Sequence, residues 1–83
     1  MANKEEAKRK LEALANRVKG SSTSSLEDAR LRQAVEADKI KNRNDVQKVL
    51  EESLQKNASD VRTTLASDDT QRLVDEIVQA LDK

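Results

Sequence analysis

The chain contains no cysteine, histidine, proline, tryptophan, tyrosine or phenylalanine, a single glycine, and no methionine beyond Met1. Without cysteine there is no disulfide framework, no thiolate metal site and no cysteine nucleophile, and the redox compartment stays open. Without histidine, the borderline metals lose a preferred ligand and a serine hydroxyl loses its usual activating base. Without aromatic side chains nothing is available to stack on a nucleic-acid base. No apolar run approaches the ~18 residues of a membrane span, and no signal-peptide core follows Met1, so a soluble, cytoplasmic protein is expected. An excess of one charge is missing too. Sixteen Lys and Arg balance 16 Asp and Glu, which argues against a dedicated binder of nucleic acid or anionic membrane.

What remains is a short alphabet of helix formers. Charged residues make up 39% of the 83 and hydrophobic residues 35%, including 9 Leu, 7 Val, 2 Ile and 10 Ala. This length holds one small domain, 1–83. Low hydrophobicity would suit disorder, but zero net charge, the lack of proline and the periodic aliphatics favour folding. The polar run Gly20-Ser21-Ser22-Thr23-Ser24-Ser25 is the one stretch that reads as a connector, 20–25.

Ala7, Leu11, Leu14, Ala15 and Val18 lay a narrow apolar stripe that predicts a helix over 3–19, ended by Gly20 in the left-handed conformation. Ser24 with Glu27 forms a capping box that opens a second helix, 25–41. Its apolar residues lie on two sides, with Leu26, Ala29, Ala37 and Ile40 on one and Leu31, Ala34 and Val35 on the other. A central helix touching two neighbours is therefore expected. Asn44 with Gln47 is a second capping box, and Val46, Val49, Leu50, Leu54, Val61 and Leu65 share one arc at ~100° per residue. They predict a continuous helix over 45–66. The alternative is a break at Asn57-Ala58-Ser59-Asp60, whose side chains compete for backbone hydrogen bonds. Asp68 with Gln71 forms a third capping box, and Leu73, Val74, Ile77, Val78 and Leu81 stripe a last helix over 69–82. No strand signal occurs. Four amphipathic helices with short connections predict an all-α, up-down four-helix bundle with antiparallel neighbours.

Chemistry-bearing residues have structural readings that outweigh functional ones. The acid pairs Glu51-Glu52, Asp68-Asp69 and Asp75-Glu76 are helix neighbours pointing ~100° apart, so neither pair member can meet the other on one substrate. A calcium loop needs a turn glycine that these segments lack. Ser24, Ser25 and Ser67 read as helix caps, since a Ser–Lys dyad needs a desolvated lysine that so small a core hardly provides. Lys8-Arg9-Lys10 is surrounded by Glu5, Glu6 and Glu12 and reads as a solvated face. No catalytic, cofactor-binding or metal-binding residue is expected, no cofactor is implied, and the chain is not expected to be an enzyme.

Ser24-Ser25-Leu26-Glu27-Asp28-Ala29-Arg30-Leu31 resembles the start of the second helix in acyl carrier proteins, a four-helix family of about this length. That family's Asp-Ser-Leu motif carries phosphopantetheine on its serine, so the resemblance implies a carrier role for Ser25. It covers eight residues and matches at Ser25, Leu26 and the acid Glu27. Ser24 stands where the family has aspartate, the long first loop is shortened, and Arg30 and Arg32 interrupt the acidic recognition helix.

Charge is segregated along the chain. Residues 3–19 hold 6 basic and 3 acidic side chains, a balance of +3, and residues 68–83 hold 2 and 5, a balance of −3. Such ends can pair within one bundle or between copies. The restricted composition, explicit caps and serine-rich connector resemble de novo designed helical bundles at the level of the class. The expected function is accordingly a non-enzymatic helical bundle, a designed fold without a natural biochemical activity. The alternative is a helical protein–protein interaction module. A monomer is expected to suffice, with a homodimer through aliphatic helix faces as its rival.

Overall fold

With no proline and one glycine, the helix boundaries of this chain fall to asparagine, serine and residues that tolerate a left-handed backbone. A computed structural model describes residues 3–20 and 25–82. Five helices follow in order: α1 (Lys4–Lys19), α2 (Ser25–Glu36), α3 (Arg43–Leu54), α4 (Ala58–Leu65) and α5 (Asp68–Asp82). Among the described residues there is no strand, and no helix is long and apolar enough to cross a membrane. The all-α class stands, and the expected four helices become five.

The extra helix comes from a break in 45–66. Gln55 takes the left-handed conformation at φ 53° and ψ 42°, and the N–H groups of Gln55 and Lys56 both reach the Glu51 carbonyl. Asn57 then starts α4, its Oδ1 accepting from the Asp60 N–H at 2.9 Å. The hydrophobic stripe stays in phase across this break, which is why periodicity alone reads one helix.

The second helix stops at Glu36, short of the expected 41. Asp38 has φ 56°, its N–H donates to the Val35 carbonyl, and the Lys39 N–H donates to the Ala34 carbonyl at 3.0 Å. This paired closure is the Schellman motif with aspartate in place of glycine. Two capping boxes also shift. Asn42, not Asn44, begins α3, accepting from the Asp45 N–H at 3.0 Å, while the Asp45 carboxylate accepts from the Lys41 N–H. Ser67, not Asp68, begins α5 by accepting from the Thr70 N–H, and the Gln71 amide reaches back to the Leu65 carbonyl. The proposed Ser24–Glu27 box and most of the 20–25 connector lie outside the described residues. Gly20 does end α1 in the left-handed region, at φ 78°.

One hydrophobic cluster draws on all five helices, with Leu11 and Leu14, Leu31 and Val35, Val46 and Leu50, Val61, and Val74 and Ile77 among its members. The centre belongs to α1 and not to α2: α1 touches each of the other helices, and α5 most extensively. The α1–α5 pair is antiparallel, since Asn3 N–H donates to the Ala80 carbonyl at 2.8 Å and Lys10 meets Glu76 further along. The α2 helix touches α1 and α3, as two apolar sides would suggest, yet it buries only Leu31, Ala34 and Val35. Leu26 is 64% exposed and Ala29 is exposed with it. Ile40 is buried from the loop that follows.

Candidate functional site

Alternation of Lys, Arg and Glu along α1 and α2 places opposite charges face to face when the two helices run antiparallel. Lys19 pairs with Glu27, Arg32 Nε donates to Glu12 at 2.7 Å, Lys8 pairs with Glu36, and Lys4 reaches Asp38 at 3.4 Å. The Lys8 hydrogen bond, then its charge, holds the Glu36 carboxyl below its ordinary range, and the same hydrogen bond pushes the Lys8 ammonium up. A hydrogen bond to Glu12 likewise raises Arg32. Pairs this exposed add little stability one at a time, but their order fixes how α2 lies along α1.

This seam absorbs the basic run. Lys8 serves Glu5 and Glu36, and Lys10 serves Glu6 and Glu76, with Arg9 left exposed between them. Part of the segregated charge is thus met within the fold, with Lys10–Glu76 the one ion pair among the described residues that joins α1 to α5. The surplus of α1 is answered by Glu27, Glu36 and Asp38 as well as by Glu76 of α5.

The acid pairs diverge as helix geometry requires. Asp75 pairs with Arg43 of α3, whereas its neighbour Glu76 pairs with Lys10 of α1. Glu51 accepts from the Gln47 amide at 3.2 Å, and Glu52 faces a cleft instead. Asp68 and Asp69 sit exposed in the first turn of α5. Ser67 caps α5, and its hydroxyl also lies 2.6 Å from that of Thr70. Ser25 is exposed as the first residue of α2, beside a shallow cleft shared with Asp28, Ala29 and Arg32. Ser24 lies outside the described residues. Among the described residues no group of three or more acidic side chains is placed to hold a metal ion.

One concavity has a polar make-up that sequence reasoning missed. Between α2 and α3 lies a cleft of about 230 Å³, lined by Arg30, Gln33, Ala34, Lys39, Val49, Glu52 and Ser53. Its signal in the sequence is slight: a serine falls where the α3 stripe calls for an aliphatic side chain. Arg30 and Lys39 are nine residues apart and converge only because α2 closes at Glu36 and the chain folds back.

No protein-family model matches the chain, and neither a curated protein nor a solved structure was found to be similar to it.

Proposed function

We propose that the chain is a non-enzymatic helical bundle of the designed kind, a fold without a natural biochemical activity whose polar side chains serve the architecture. The observation that carries this reading is the employment of those side chains. Asn3, Asn42, Asn57 and Ser67 begin four helices, and the charged residues of α1, α2 and α5 join helix to helix. Its test is an alanine scan of the polar residues read by thermal melting. Each cap substitution should lower stability by about 1 kcal/mol. A cluster of polar positions whose replacement raises stability would mark a functional site and overturn the reading, because active sites are held at the expense of stability.

The runner-up is a helical interaction module, favoured by Leu26, which stands out to solvent next to Ala29 on one face of α2. As a designed fold the bundle is proposed to be a monomer. Light scattering over a hundredfold concentration range should give a constant mass near 9.3 kDa. A constant mass of about twice that would move the Leu26 face into a symmetric dimer. The carrier reading is favoured by the exposed place of Ser25 at the head of α2. Coexpression with a phosphopantetheinyl transferase tests it, and an unchanged intact mass is expected.

A further inference from the structure

Ser53 holds a core position on α3. Val46, Val49, Leu50 and Leu54 share its buried face, and a hydroxyl there forgoes the aliphatic burial its neighbours supply. The residue is only 7% exposed, and among the described residues its hydroxyl has no hydrogen-bond partner. Among the described residues no buried side-chain oxygen or nitrogen is sealed off without one, so the Ser53 hydroxyl keeps its access to solvent through the cleft it lines. A hydroxyl so placed is open to solvent or to a ligand that enters the cleft.

The rest of the lining is suited to one kind of ligand. Arg30 and Lys39 stand together at the cleft, and like Arg9, Arg17 and Lys48 neither is ion-paired among the described residues, so both charges are open to a ligand there. Gln33 adds amide donors, and Ala34 and Val49 give an apolar wall. Glu52 is the only acid in the lining, so two cations less one acid leave a balance of +1. The end of α2 would ordinarily repel an anion, but the Ala34 and Val35 carbonyls already accept from Lys39 and Asp38.

We propose that this cleft binds a short monocarboxylate. The carboxylate lies between Arg30 and Lys39 and accepts from the Ser53 hydroxyl, and the alkyl chain lies on Ala34 and Val49. Glu52 disfavours a second negative charge, and a cleft of about 230 Å³ with only Ala34 and Val49 as apolar wall suits a short alkyl chain. Binding of this kind requires no catalysis, and the proposal goes beyond the reading given above by excepting the polar residues of this one cleft from those that serve the architecture.

Amide NMR titrations at fixed ionic strength test it, with sodium butyrate, butylammonium chloride and disodium succinate as probes. Butyrate should give saturable shifts confined to residues 30–39 and 49–53, with a Kd of about 1 mM. Butylammonium should give none. Succinate should bind more weakly than butyrate, and Glu52→Gln should narrow that difference. The double variant Arg30→Gln/Lys39→Gln should weaken butyrate at least about tenfold, the cost of roughly one charge-assisted contact. Ser53→Ala, which keeps a good helix former in place, should weaken it about threefold to tenfold with thermal stability unchanged or raised. Shifts that fail to saturate or spread over the other lysines, butyrate binding that survives the double variant, or equal binding of butylammonium would each overturn the proposal.

Discussion

Asp38 and Gln55 hold left-handed backbones at φ 56° and 53°, where an L side chain crowds its own carbonyl oxygen at a cost of roughly 1–2 kcal/mol. Aspartate tolerates this region better than glutamine does, so the two positions respond differently to glycine. Gln55→Gly should raise stability by about 0.5–1 kcal/mol, while Asp38→Gly, which also gives up the Lys4 contact, should change it little. The reverse exchange at Gly20 should cost about 1 kcal/mol. Nothing lies within 4 Å of a Cβ built there, so that loss is conformational and chemical denaturation should show it without a change in m-value. Glu36 makes a second residue-level test. Its carboxyl is held below the ordinary 4.5, so its contribution is present above that pH and is lost as pH falls through the folded value. Lys8 is raised above 10.5, so its contribution is present below that pH and is lost as pH climbs through the folded value. Melting of Glu36→Gln should therefore show a shallower acid limb than the parent.

At the scale of elements, the stripes of α1 and α5 were legible because their buried residues fall on one side at helical spacing. On α5, however, only Val74 and Ile77 of the expected five are buried, with Thr70 and Ala80 beside them and Leu73, Val78 and Leu81 half-buried. The joint between α3 and α4 was legible only as an alternative, since Val61 and Leu65 continue the phase set by Val46 and Leu50. Asn57 signalled the restart of the helix; the left-handed Gln55 that ends α3 has no compositional mark. Facing in α2 was unreadable for a different reason. Its two apolar sides differ in burial only because α1 and α3 both lie toward Leu31, a fact of tertiary packing. The two sides should separate cleanly in mutational data. Leu31→Ala should cost about 2–5 kcal/mol, and Leu26→Ala should stay within about 0.5 kcal/mol, as measured by urea unfolding. A larger loss at Leu26 than at Leu31 would place α2 the other way round.

For the whole molecule, the central position of α1 means that its contacts are shared by every other helix. A charge introduced on its buried face cannot be relieved by releasing one neighbour. Leu14→Asp and, on the partner helix, Ile77→Asp should each abolish cooperative unfolding, seen as a broad, sloping melt by circular dichroism. Both residues are fully buried, and both were visible as core in the sequence. The polar cleft was not. Its residues come from α2, the loop after it and α3, and only the early closure of α2 at Asp38 and Lys39 brings them to one place.

The hydrogen bond from Asn3 to Ala80 has a topological consequence. Where α1 begins, α5 is ending, so the described chain leaves the fold close to where it enters, and the order in which the helices are strung is separable from how they pack. A permuted chain that joins these ends by a few glycines and serines and opens at Gln55-Lys56 should fold to the same helical content. By the same geometry the helical fold can be grafted between two adjacent residues of a host protein's surface loop without prising that loop apart.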